Sequence, residues 1–440
     1  MERRVVRGKI FDGRQLGNRN KGLKHCLTVS EALTTLEQQK VKSKKQAKRT
    51  PLQGFHEVKT GKFTWAGSNT TGLLDSGNRR ASLADMFLKL CPSEVAEVMI
   101  EEHELTRTKG EHHIKVLDVQ EYWCVRIWLQ RERNSIKLRE NWPLDKSGFP
   151  GTFGHHKYDR LQKLWMSPKV VEILNAKAAA RVSIVPEVIT IDEKLKKFSG
   201  DTPYRRYVPN KNPPTGHWIT EATMKGPHTG LPYLIAAFPI QQHQGPSMLE
   251  MYQTSLSWIA RQDRKNVVVV TDAYYMDDAS RKWLRDNDFK YLAAINPTRF
   301  KEVWGPLERQ IKHCGDGAVH WNDETGEAAV HIKLESGYKI YLLTNAFTYQ
   351  LTQQPVNYTI FSDVYSHCFN TADRLNHFIG KKGYPYRRIG WQYSFDGFHF
   401  TTLLWNVYVL YHEQYNEVDM SWKEFCEQLA KELWEIIHNK

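Results

Sequence analysis

Three aspartates stand where they could do chemistry. Asp192 follows the β-rich run RVSIVPEVITI, Asp272 follows four valines and a threonine in RKNVVVVTDAYYM, and Asp373 lies in the helical stretch SHCFNTADRLNHFI. In a sheet whose first and fourth strands are neighbours, the two strand-end carboxylates converge at one edge, and a helix packed there delivers the third. Acidic side chains gathered around one point repel each other unless a cation sits among them, and hard carboxylate oxygens select Mg²⁺ or Mn²⁺. Two such ions about 4 Å apart can activate a nucleophilic oxygen and stabilise the leaving oxygen of a phosphodiester. The plainer reading is turn chemistry, since a strand-end aspartate commonly opens a turn. With 49 acidic residues in the chain, spacing alone does not choose between the two.

The elements that must position these groups read as α/β. At 440 residues the chain exceeds one small core and implies two or three domains. ADMFLKLCPSEVAEVMIEEHEL, VQEYWCVRIWLQ and KYDRLQKLWM carry apolar residues at helical spacing. The texture then turns to strands: RVSIVPEVITIDE, GHWITEATM and GLPYLIAAF, then the helix MLEMYQTSLSWIARQD, the valine strand, the helix DDASRKWLRDND and the strand FKYLAAINP. That order predicts a buried, partly parallel sheet. GAVHWND, EAAVHIKLES and YKIYLLTNAF suggest a small inserted sheet, and two helices, GFHFTTLLWNVYVLYHEQ and SWKEFCEQLAKELWEII, close the chain. The expected divisions are a basic, disordered tail (1–78), a helical segment (79–183), the first part of the α/β core (184–298), a β-rich insertion (299–359), a core helix with Asp373 (360–382) and a closing helical segment (383–440).

The formal charge of +13 is a property of the tail. Through Arg80 there are 18 Lys/Arg against 6 Asp/Glu, which leaves 44 against 43 in the remainder. A basic arm of this kind suits polyanions such as nucleic acid. Within it, KVKSKKQAKRTP, with Lys44, Lys45, Lys48 and Arg49, is dense enough for a nuclear-import signal or a DNA-contacting patch, though a merely solvated segment has the same composition. The longest apolar run, LPYLIAAF, is far short of a membrane span, and MERRVVRGKI is unlike a secretory signal, so an intracellular protein is expected. The six cysteines form no CxxC pair and read as free thiols rather than as a zinc module or disulfide frame. The histidines of EEHELTRTKGEHHIK and FGHHKYDR lack HExxH spacing, and no GxxxxGK[ST] loop is present, so no nucleotide cofactor is expected. Two basic-aromatic stretches remain: TPYRRYVPNK, with Arg205, Arg206 and Lys211, and GKKGYPYRRIGWQY, with Arg387, Arg388 and Trp391. Such residues can neutralise phosphates and support unstacked bases, or simply snorkel over a helical surface.

Around all three aspartates the sequence resembles the piggyBac family of DNA transposases and its domesticated relatives. ITIDEKLKKFSGDTPYRRYVPNKNPPTGHW resembles the family's first catalytic block, VVVVTDAYYM its second, and FNTADRLNHF stands where the third is found, followed by YRRIGWQY and WNVYVLY. The likeness spans roughly residues 80–440, and separations of 80 and 101 residues between the aspartates are similar to the family's. The resemblance implies an RNase H-like catalytic core with a β-rich insertion, flanked by helical dimerisation and DNA-binding segments. It implies Asp192, Asp272 and Asp373 as catalytic and metal-binding residues, Mg²⁺ or Mn²⁺ as cofactor, and a homodimer acting in the nucleus on double-stranded DNA. The implied chemistry is nicking at element ends and transfer of the freed 3′-hydroxyl into TTAA targets. Departures from the pattern are Ala273 after the second aspartate, the absence of the paired glycines before Asp373, and Asn376 at a second acidic position. No Cys/His-rich zinc module follows Trp434. These departures fit an alternative, a domesticated nuclear DNA-binding protein that no longer transposes; a metal-dependent nuclease without strand transfer is a third expectation.

Overall fold

The computed structural model describes residues 55–68, 72–75, 81–108, 111–130, 155–165, 167–197, 205–208, 214–240, 247–297, 300, 317–333, 337–382, 391–415 and 420–439. Its first elements lie inside the stretch expected to be a disordered tail: β1 (His56–Val58), β2 (Thr60–Trp65) and β3 (Leu73–Leu74). In β2, Gly61, Phe63 and Trp65 point inward while Lys62 and Thr64 face solvent. This period-two pattern is short and diluted by lysine and glycine, which is why the basic composition masked it.

Five helices follow, α1 (Leu83–Leu90), α2 (Ser93–Thr106), α3 (Val116–Gln130), α4 (His155–Leu164) and α5 (Pro168–Ala179). Ser82 and Asp85 cap α1 reciprocally, and Pro92 cannot continue it, so the apolar run of the sequence is split into α1 and α2. Helix α5, which the sequence reading did not mark, starts on a Ser167 cap with Pro168 in the first turn. Next come β4 (Val182–Ile184), β5 (Val188–Lys197), β6 (Arg205–Tyr207), β7 (Thr215–Lys225) and β8 (Pro232–Pro239). Then follow α6 (Met248–Leu256), α7 (Arg261–Arg264), β9 (Val268–Thr271), α8 (Asp278–Asp286) and β10 (Lys290–Ala294). Strands β11 (Gly317–Asn322), β12 (Glu327–Lys333), β13 (Lys339–Thr344) and β14 (Phe347–Pro355) lead to α9 (Thr359–Lys382), α10 (Trp391–Gln414) and α11 (Trp422–His438).

Ten strands share one mixed sheet in the order β1-β11-β12-β13-β10-β9-β5-β7-β6, with β8 also paired to β7. Strands β5, β7 and β8 are antiparallel neighbours, whereas β9 runs parallel to both β5 and β10. The valine run is central to this sheet. Val267 and Val269 enter one core with Ile189, Ile191 and Tyr291, and Val268 and Val270 enter a second with Leu292, Phe361 and Val364. A strand covered on both faces needs apolar residues at every position, which accounts for the uninterrupted valines.

The described residues of 299–359 do not form the separate small sheet that the sequence suggests. Strand β13 pairs antiparallel with β10, and β12, β11 and β1 extend the main sheet beyond it. Only β14 turns away, to pair with β2. The junction is fixed by an ion pair: Arg281 Nη1 of α8 donates to both oxygens of the buried Glu327 carboxylate of β12, at 3.1 and 3.2 Å. The closing helices return to those preceding the sheet. Trp422 Nε1 donates to the Gln130 carbonyl at 3.1 Å, and Ala84 N donates to Glu432 Oε2 at 3.1 Å.

Strand β8 is protected by two asparagines that imitate a neighbouring strand. Asn406 of α10 accepts from Leu234 N at 3.0 Å and donates to its carbonyl at 2.7 Å, while Asn175 of α5 does the same for Ala237 at 2.9 and 3.0 Å. Asn406→Ala leaves both buried peptide groups of Leu234 without this partner, so a loss of about 2–4 kcal/mol in unfolding free energy is expected in a urea titration. A loss below about 0.5 kcal/mol, the range of ordinary surface changes, would rule out this role.

Candidate metal centre

Parallel pairing of β5 and β9 sets Ile191 beside Thr271, so the next residue on each strand is an aspartate. Strand β9 ends there. Strand β5 does not, and in this the sequence expectation is corrected: Asp192 lies within β5, whose polar continuation to Lys197 pairs with Gly216–Glu221 of β7. The charged run DEKLKK looked like a strand end because alternation and β-branched residues stop, yet it keeps its ladder on one side.

Where β9 has ended, Asp192, Glu193 and Asp272 each offer a carboxylate oxygen, and these three atoms lie within 4.8 Å of one another. Asp192 and Glu193 are buried and Asp272 is half-buried. Glu193 was not singled out from the sequence, because strand alternation assigns it to the face opposite Asp192. The signal available was the acidic pair itself at the point where the parallel neighbour stops. Asp373 is brought to the same region by α9 but lies outside this tight cluster and is exposed. Helix α9 is pinned to the end of β9 by Tyr365, whose hydroxyl donates to the Thr271 carbonyl at 3.1 Å, and to β5 by Thr190 Oγ1, which donates to the Cys368 carbonyl at 3.1 Å.

The surrounding groups register the concentrated charge. Burial pushes the Tyr365 hydroxyl well above its ordinary range, and Asp272, Asp192, Asp373 and Glu193 push it further. On the other side of the cluster, burial and then Glu193 and Asp192 do the same to Tyr275. Both phenols therefore stay protonated. Glu221, directly opposite Asp192 on β7, is fully buried; burial raises its carboxyl, the Lys194 ammonium opposes the rise, and Glu193 and Asp373 add to it. Burial likewise depresses Lys194, with Glu221 opposing.

The turn after β9 is anchored through both tyrosines of TDAYYM. Tyr274 N donates to Asp272 Oδ1 at 2.7 Å, an Asx turn that orients the carboxylate. The Tyr274 ring lies against Trp218 with centroids 4.9 Å apart, and its hydroxyl accepts from Arg206 Nη1 at 3.0 Å. The buried Tyr275 hydroxyl shares a hydrogen bond with Thr220 Oγ1 at 3.1 Å. Arg205 and Arg206 are half-buried on β6. Lys44, Lys45, Lys48, Arg49, Lys211, Arg387, Arg388 and the side chain of Trp391 lie outside the described residues.

No protein-family model matches the sequence, and neither does any curated protein. Among solved structures, the fold is similar to that of piggyBac transposase, in a synaptic complex with hairpin DNA. The TM-score is 0.60 at 14% identity, over 80% of this chain and 80% of that one. The chain thus has a piggyBac-like fold, a mixed α/β architecture around a large mixed sheet.

A donor set of three carboxylates, without His or Cys, fits Mg²⁺ or Mn²⁺. Mn²⁺ is expected to raise the melting temperature relative to EDTA, since a ligand at a hundredfold excess over Kd stabilises by about 2.7 kcal/mol. Asp272→Asn is expected to abolish that rise and, in EDTA, to melt no lower than wild type, because it removes one of three mutually repelling charges. Identical melting of the wild type in Mn²⁺ and EDTA would exclude the metal site.

Proposed function

We infer that this chain is a piggyBac-like DNA transposase that cleaves and transfers DNA strands with Mg²⁺ or Mn²⁺ held by Asp192, Glu193 and Asp272. The observation that carries the reading is the carboxylate cluster formed where β9 ends beside its parallel neighbour β5, within a fold similar to piggyBac transposase. Support for an RNase H-like core comes from the order β8-β7-β5-β9-β10, antiparallel over the first three strands and parallel over the last two. When bound, the metal supplies charge for activating an attacking oxygen and stabilising a leaving one. Asp192 and Asp272 would hold their carboxylates in the register set by β5 and β9, with the exposed Asp373 carried nearby on the helix pinned by Tyr365. The buried flanks of the cluster limit access of bulk water. Double-stranded DNA as substrate, insertion at TTAA, homodimeric assembly and action in the nucleus belong to the same proposal and rest on the sequence resemblance.

The exposed position of Asp373, outside the tight cluster, favours one rival: a nuclear DNA-binding protein of the same descent that has lost strand transfer. Purified protein incubated with DNA from the flanks of its own gene and Mn²⁺ separates the two. The transposase should give nicked and then joined products. Asp272→Ala should reduce nicking on the order of a thousandfold, the equivalent of several kcal/mol of lost transition-state stabilisation. Nicking that Asp272→Ala leaves intact would refute the assignment, and salt-sensitive DNA binding without any nicking would establish the rival.

A further inference from the structure

Arg206 is a basic residue of the strand expected to face DNA, yet its guanidinium is engaged inside the protein. It lies over the Trp218 ring, 5.2 Å from the centroid, and donates to the Tyr274 hydroxyl at 3.0 Å. Trp218 is 4% exposed and also packs on the Tyr274 ring, so Arg206, Trp218 and Tyr274 form one stack joining β6, β7 and the turn after β9. The backbone of that same Tyr274 donates to Asp272 Oδ1 at 2.7 Å. An Asx turn alone leaves the turn's outer residue free to pivot, and displacing it rotates the carboxylate it holds. Here the pivot is blocked at the far end of the ring by a planar cation that stacks and donates at once, which a lysine cannot do.

We propose that Arg206 is a positioning residue for the metal centre: through Tyr274 it holds the Asp272 carboxylate in its ligating orientation, and it does not act as a phosphate contact. The role rests on the metal reading of the Asp192–Glu193–Asp272 cluster. Tyr207, the next residue on β6, is 70% exposed, whereas Arg206 is turned toward Trp218 and Tyr274.

The test is Mn²⁺ titration of the full chain without DNA, followed by calorimetry or electron paramagnetic resonance, beside DNA binding at several salt concentrations. Arg206→Ala, Arg206→Lys and Tyr274→Phe are each expected to weaken Mn²⁺ binding about tenfold, the lower end of what outer-shell partners contribute. The double variant Arg206→Lys/Tyr274→Phe should lose no more than either single one. DNA affinity and its salt slope should stay at the wild-type value in Arg206→Lys and Tyr274→Phe. If Arg206 contacts phosphate instead, Arg206→Ala will keep wild-type Mn²⁺ affinity and reduce the salt slope by about one, with Tyr274→Phe silent in both assays. That result overturns the proposal while leaving the metal site standing. A wild type that takes up no Mn²⁺ overturns the metal reading itself, and the positioning role with it.

Discussion

Like charges brought within a few ångströms in a poorly hydrated place push apart, and at this site the push falls on the backbone of β5 and β9. Asp192 and Glu193 are buried, and Asp272 is close enough that one oxygen from each falls within 4.8 Å of the others. The strands can carry that load because neither is able to move. Strand β9 is clamped by a parallel partner on each side and by apolar packing on both faces, and β5 continues past the site along β7. The valine run is therefore a mechanical requirement of the carboxylate that follows it. Helix α9 adds the remaining constraint, since Tyr365 is bonded to the carbonyl immediately before Asp272.

The rest of the molecule can be understood as protection for this frame. A sheet that ended at β8 on one side and β10 on the other would present two open edges close to the site. At β8 the buried edge peptide groups of Leu234 and Ala237 are met by Asn406 and Asn175, so the surrounding helices replace a missing strand. At β10 the answer is more strands, and the Arg281–Glu327 ion pair fixes the place where they join. Burying a carboxylate such as Glu327 is unfavourable unless it is fully partnered. Bidentate contact with Arg281 and the Tyr291 hydroxyl supplies those partners.

The buried, partly parallel sheet and the neighbourhood of Asp192 and Asp272 were legible in the sequence because both rest on local patterns: a fully apolar strand, helical faces and an acid where an apolar run stops. What escaped depended on partners distant in sequence. Strand β2 consists of a few alternating residues among lysines, and it is a strand because β14, far along the chain, pairs with it. The join of β13 to β10 is likewise a tertiary choice that no window of the sequence contains. Glu193 was passed over because alternation sets it on the face opposite Asp192, and only the end of β9 beside β5 lets both carboxylates reach Asp272. Arg206 was grouped with surface cations on composition; only the placement of Trp218 and Tyr274 shows it turned inward.

A fold shared at 14% identity does not decide activity, since one scaffold supports many functions. The energetics of the site say more. A protein that needed only to bind DNA would gain stability by replacing Asp192 or Glu193 with a neutral or apolar residue, because each is a buried acid beside two others. Glu221 shows the same tension one strand away, where burial and neighbouring acids hold its carboxyl up against the pull of Lys194. A positively charged occupant reverses the sign of the problem: the same carboxylates become ligands, and the rigidity that resisted repulsion becomes the preorganisation that fixes their geometry. The Arg206–Trp218–Tyr274 stack fits this account, because precise aiming of Asp272 matters to a cation with a preferred coordination geometry and is of no consequence to a surface that merely attracts phosphate.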